Sequence, residues 1–262
     1  MARRKRKNLQ TRRPRKKTVL QRTVRSVKIA LGVGLLSGAA YAFYEYVAES
    51  EYFRVRTICV AGAETLDGEA IAARSELTTA DNILFVKADA VAARVASLPY
   101  VKSCTVARVF PGVVEIALTE RKAAATLLVH NRSFAVDAEG VVLEELAASD
   151  PHPGPFITEV PGLDVVEVGQ DLDLASLDKG LSVLEAFATT AMAKEVTVAE
   201  IAAHRENDVR MYCDELSFEI RWGRGDLEAQ AKRLDMLWAH KGKDLDCDEY
   251  CDLRFGRDVA CR

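Results

Sequence analysis

Four cysteines crowd the last fifty residues: Cys213, Cys247, Cys251 and Cys261. Four thiolates could hold zinc, but structural zinc sites usually take two short Cys-x2–4-Cys pairs. Only Cys247-x3-Cys251 has that spacing. Disulfide pairing is the other chemistry open to them. With Cys59 and Cys104 the chain has six cysteines, an even number that allows fifteen connectivities. The acidic run Asp244-Leu245-Asp246-Cys247-Asp248-Glu249 begins like a calcium loop. It fails at the turn glycine, which is Glu249, and at the closing glutamate, which is Phe255. The four histidines (His130, His152, His204, His240) stand apart with no acid or nucleophile spaced to serve them. No Gly-x-Ser-x-Gly, P-loop or His-Glu-x-x-His occurs. The expectation is a chain with no catalytic set, no cofactor and no metal, and with disulfides favoured over zinc.

Which compartment the thiols meet depends on an earlier segment. Ile29 to Val47 is apolar except for Glu45. At 1.5 Å per helical residue it is just long enough to cross a hydrocarbon core of about 30 Å. Residues 1–28 carry thirteen Lys or Arg and no acid, leaving 23 basic against 39 acidic residues beyond them, a formal charge of −16. Lys and Arg flanking a span stay on the cytoplasmic side. The predicted topology is a cytoplasmic 1–28 and an extracytoplasmic remainder from about 48 to 262. Tyr41, Tyr44 and Tyr46 would sit at the outer interface. The basic region is too long, and the aromatic end too poor a cleavage site, for a signal peptide. All six cysteines then face a compartment that permits disulfides. The basic segment reads as a disordered tail that contacts anionic lipid. It has no aromatics or folded motif to read bases, so no nucleic-acid partner is expected. Gly34 and Gly38 form a small-xxx-small face, a weak pointer to helix self-association.

Beyond the span the pattern is α+β. Residues 53–60 alternate as a strand stopped at Gly62, and 67–75 and 87–97 read as helices, the second with Val91, Val95 and Leu98 on one face. Strands 101–109 and 113–119 flank a Phe110-Pro111-Gly112 turn. From Ala124 the chain is mostly β. Strands are predicted at 126–129, 133–136, 141–146, 156–160, 196–202, 209–213 and 217–222. Helices are predicted from a cap at Ser176 and over 226–240, with a closing hairpin of 250–255 and 258–261.

These segments carry a resemblance. Val55-x-x-Ile58-x-Val60-x-Gly62, Asn82-Ile83-Leu84-Phe85, Leu98-Pro99-Tyr100-Val101, Val106-x-Arg108-x-Phe110-Pro111 and Glu120-Arg121 together resemble the POTRA domain of the bacterial FtsQ/DivIB cell-division family. Residues 134–142 resemble the opening hairpin of that family's β-rich second domain. Phe218-Glu219-Ile220-Arg221-Trp222-Gly223, Ala231-Lys232-Arg233-Leu234 and Asp252-Leu253-Arg254-Phe255 resemble its later strand, helix and final strand. The implied organisation is a basic tail over 1–28, a transmembrane helix over 29–47, a β-α-α-β-β POTRA domain over 53–121 and a mostly antiparallel β domain over 122–262.

The resemblance implies a scaffold rather than an enzyme. It would be a single-pass protein of the cell inner membrane, placed at the division septum. Its expected partners are FtsB- and FtsL-like bitopic proteins and other divisome components, through which it would coordinate septal peptidoglycan synthesis. An edge strand offers unpaired backbone groups to an incoming strand, and Arg254, Phe255, Gly256, Arg257, Val259 and Cys261 are the expected partner edge. Gly62, Asn82, Arg108, Phe110 and Pro111 are the expected POTRA signature, structural or recruiting. The alternative is a POTRA-containing envelope assembly or secretion component.

Overall fold

The structure, a computed structural model, describes residues 16–242, 245, 247–256 and 258–262. Helix α1 runs over Lys16–Glu49. Its segment Gln21–Glu49 is, among the described residues, the one helix long and apolar enough to cross a membrane. The sequence predicts no structure before Ile29, yet the helix already begins at Lys16. Lys, Arg and Gln are good helix formers, and no Gly or Pro interrupts Lys16 to Lys28, so a helix nucleated by the apolar segment extends backward at little cost. The rest of the basic tail, residues 1–15, lies outside the described residues.

A first unit follows as β1 (Thr57–Ala61), α2 (Gly68–Arg74), α3 (Ala88–Ala96), β2 (Val101–Val109) and β3 (Val113–Glu120). Its three-stranded sheet has the order β1-β3-β2, with β1 parallel and β2 antiparallel to β3. Period-2 alternation buries Val114, Ile116 and Leu118 of β3, and these pack on Ile71 of α2 and on Val91 and Val95 of α3. Asp67 caps α2 by accepting from Glu69 N at 3.1 Å, as expected for an Asp ahead of a helix. Gly62 has φ +87, and a Cβ there would come within 2.0 Å of the Leu118 carbonyl oxygen. Only glycine fits that approach. The predicted strand over 53–60 starts later, at Thr57. Glu51–Phe53 form a 3-10 turn, and Val55 N donates instead to Asp81 O at 2.9 Å, which draws residues 54 and 55 to the 81–86 loop.

The second unit is a nine-stranded sheet of order β12-β11-β10-β9-β8-β7-β4-β5-β6. Its strands are β4 (Ala123–Val129), β5 (Arg132–Asp137), β6 (Val142–Leu146), β7 (Phe156–Thr158), β8 (Val198–Arg205), β9 (Asp208–Cys213), β10 (Glu219–Trp222), β11 (Tyr250–Asp252) and β12 (Ala260–Cys261). Five of its eight pairings are antiparallel; β4–β7, β7–β8 and β10–β11 are parallel. Helices α4 (Ala175–Ala188) and α5 (Leu227–Lys241) supply Phe187, Leu234 and Trp238 to a core with Trp222, Ile220 and Met211 of the sheet. Asp226 caps α5 through Glu228 N at 2.9 Å and Ala229 N at 3.2 Å. Ser176 is not the cap of α4: the helix starts after Leu174, and Ser176 is buried in its first turn. The cost of burying Leu177 and Leu181 any other way outweighs a hydroxyl cap.

The two units meet along polar contacts. Tyr100 donates to Glu144 at 2.5 Å, Lys102 pairs with Glu139 at 2.6 Å, and Arg121 pairs with Asp137 at 2.6 Å and Glu139 at 2.8 Å.

Candidate partner-binding edge and its anchorage

The nine-stranded sheet ends in β12 on one side and β6 on the other. The two ends differ. At the start of β6, Val142 N donates to Gln170 O at 2.9 Å and Gly169 N donates to Val142 O at 2.8 Å, so a loop caps that edge at its first residue. β12 pairs with β11 alone, as Cys251↔Cys261 and Asp252↔Ala260. Tyr250 and Arg262 exchange backbone bonds at 3.2 and 3.1 Å. Bonded and non-bonded pairs alternate in an antiparallel ladder, so the N–H and C=O of Cys261 turn away from β11. Among the described residues no strand lies there.

The expected edge residues divide by what holds them. Arg254 is not a free side chain. It donates to Asp252 at 2.6 Å and to Asp208 at 3.0 Å, and it lies over Gly223, where a Cβ would come within 2.5 Å of it. Burial alone would raise the Asp252 carboxyl, but the Arg254 bonds outweigh it and hold the group below the usual aspartate range. Asp252 also accepts from Arg254 N at 2.9 Å. That local bond ends β11 at Asp252, so the predicted 250–255 strand is shorter than its sequence suggests. Phe255 is 59% exposed and Gly256 follows at φ +53. Val259 packs half-buried against the core. Arg257 lies outside the described residues.

Cys261 and Cys247 are joined in a disulfide, which ties β12 to the chain after α5. The sulfurs of Cys247, Cys251 and Cys261 all lie within 4.8 Å of one another. Reduced, they would offer three soft ligands; as a disulfide, two of them do not. Cys251 and Cys213 are buried thiols, and burial pushes them up to about 11 and about 12. They remain protonated at neutral pH, the inert form of a thiol.

Of the expected first-unit residues, Arg108 and Asn82 bond to the backbone of other segments. Arg108 donates to the carbonyls of Leu84 at 3.3 Å and Val86 at 3.2 Å. Phe110 is exposed at the β2–β3 turn, and its bond to Pro111 is cis. Asn82 Nδ2 donates to Val47 O at 2.8 Å and Ala48 O at 3.1 Å. Those carbonyls belong to the last turn of α1, whose acceptors lack partners within the helix. Sequence reading names Asn82 in the expected signature but misses this bond, because nothing local to either segment signals the other. The Arg121 contact to Asp137 is missed for the same reason.

A family model described as POTRA domain, FtsQ-type, matches residues 53–121. One described as Cell division protein FtsQ/DivIB, C-terminal, matches residues 125–254, so the segment 255–262 lies beyond it. A protein named Cell division protein FtsQ from Anaeromyxobacter sp. (strain K) is 29% identical over 218 residues, covering 82% of this chain and 73% of that protein. Its namesake from Syntrophotalea carbinolica is 24% identical over 230 residues, covering 88% and 81%. That from Geotalea daltonii is 22% identical over 246 residues, covering 93% and 88%. Models of one family thus match both units, in order, behind an apolar N-terminal helix, and the protein belongs to the FtsQ/DivIB family of cell-division proteins.

Proposed function

We propose that this chain is a non-catalytic scaffold of the divisome. It is anchored by α1 in the cytoplasmic membrane with its basic segment inside and both folded units outside, and it acts at the septum. It captures FtsB- and FtsL-like bitopic proteins by strand addition at β12, and so couples them to septal peptidoglycan synthesis. The first unit, over 53–121, aids localisation, and the second, over 122–262, captures the partner. The observation that carries the reading is the outer side of β12: the strand pairs with β11 alone and turns the N–H and C=O of Cys261 away from it, whereas at the other end of the sheet a loop bonds the first residue of β6, Val142. An added strand would gain backbone bonds, and exposed Phe255 would supply a side-chain contact. The thirteen basic residues ahead of Ile29 support the orientation.

Val259 stands just ahead of β12, and an added strand that carried the ladder's alternation past Cys261 to Val259 would bond the N–H of Val259. Val259→Pro removes that donor. Pull-down of an FtsB-like partner from membranes should be lost, while residues 53–121 keep their resistance to protease. Val259→Ala removes the packing but keeps the N–H, and should retain capture. Capture that survives Val259→Pro would rule out β12 as the edge.

A further inference from the structure

The 82–86 loop of the first unit is held from three directions. Asn82 Nδ2 donates into the end of α1, and its Oδ1 accepts from Leu84 N at 3.0 Å. Ile83 N donates to Phe53 O at 2.8 Å, and the Ile83 side chain is fully buried. Arg108 holds the carbonyls of Leu84 and Val86. A loop fixed this way cannot withdraw its side chains. Yet Phe85 stays 47% exposed, and its ring meets Tyr44 of α1 edge-on at 5.4 Å between centroids.

Tyr44 sets the depth of that ring. With Ile29–Val47 crossing the hydrocarbon, Val47 lies at its outer boundary, and Tyr44 lies about 4.5 Å further in at 1.5 Å per residue. Tyr41, Tyr44 and Tyr46 are all exposed on α1, at the level where aromatic rings favour the interface. Phe85 shares that level because it touches Tyr44. Its exposed face therefore continues the apolar surface of the helix rather than facing bulk water.

We propose that the Asn82–Phe85 turn is a second, shallow membrane contact, in which the Phe85 ring lies at the headgroup–acyl boundary of the outer leaflet beside Tyr44. The contact fixes the tilt of the first unit on its anchor and orients the outer sheet relative to the bilayer. The proposal rests on the reading of α1 as a transmembrane anchor.

The test uses the full chain carrying Phe85→Trp in phospholipid proteoliposomes, some with bromines placed high on the acyl chains. The native Trp222 and Trp238 are buried in the second unit and give the background, measured on the unsubstituted chain. The indole introduced at position 85 should emit to the blue, lose intensity with brominated lipid and resist aqueous iodide. Quenching by iodide without quenching by brominated lipid would place the ring in water and overturn the proposal. Quenching by neither would mean that protein covers the ring, and would also overturn it. Alkaline extraction of the same vesicles reads the anchor separately. A released chain would sink both the anchor and the contact, whereas a retained chain with an iodide-quenched indole would sink only the contact.

Discussion

The Asn82 side chain donates to the Val47 carbonyl at 2.8 Å, across 35 residues of chain. One carboxamide thus closes the end of α1 and fixes the turn that carries Phe85. The first unit is held against its helix instead of hanging from a linker.

Asn82→Ala should cost about 1–2 kcal/mol, because the α1 carbonyls lose a donor in a partly shielded place. Asn82→Asp keeps the acceptor for Leu84 N but cannot donate, and should loosen the junction as well. Chemical denaturation in detergent reads the first effect. Faster proteolysis around residues 49–53 reads the second. Unchanged proteolysis in both variants would mean that the bond does not hold the junction.

Arg121→Ala should destabilise the protein by about 2 kcal/mol, because it leaves the nearly buried Asp137 carboxylate without its cation. Glu139→Ala removes an exposed partner of the same guanidinium and should cost less, because solvent screens an exposed pair. Denaturant midpoints compare the two, and equal losses would contradict this ordering. Small-angle scattering should also show a looser pair of units in Arg121→Ala.

Reducing the Cys247–Cys261 bond, which spans 14 residues of sequence, should lower stability by about 2–3 kcal/mol through the freed loop. It should also weaken partner capture, since β12 loses its tether. A melt with and without reductant measures the first effect. Under native conditions a thiol reagent should modify exposed Cys59 first, and reach Cys213 and Cys251 only on unfolding. Rapid native modification of Cys251 would refute the packing described for the edge.

Two carboxylates set an acid limit. Burial raises Glu120, but the N–H groups of Leu66, Thr65 and Glu64 outweigh it and leave the group below the usual glutamate range. Asp252 is lowered by Arg254 in the same way. A folded-state pKa below the unfolded value contributes stability that is complete above the unfolded pKa and lost as pH falls through the folded one. The denaturation midpoint should therefore be flat down to about pH 5 and fall below about pH 4. Glu120→Gln should be less stable at pH 7 and show a shallower acid limb. An acid limb as steep as that of the unsubstituted chain would contradict the role of Glu120.

Local signals carried much of this architecture. Alternation in β3, the Asp caps of α2 and α5, and Gly62 at a positive φ are all written in short stretches of sequence. Strand order is not: that β7 inserts between β4 and β8, or that the loop at Gly169 and Gln170 caps β6 at Val142, depends on contacts far apart in the chain. At the edge, Phe255 and Val259 were legible as residue types, but the fate of Arg254 was not. Its partner Asp208 stands 46 residues away, and no spacing rule links them. The helical start at Lys16 was missed because charge density argued for disorder, while the neighbouring apolar helix supplied the nucleus that such a sequence lacks alone.

The edge assignment is tested most directly in the membrane, with a photocrosslinking residue at Phe255 beside β12 and, in a separate chain, at Leu146 on β6. The account predicts a crosslink from position 255 to a small bitopic division protein and none from position 146. A crosslink to that partner from position 146 alone would contradict it.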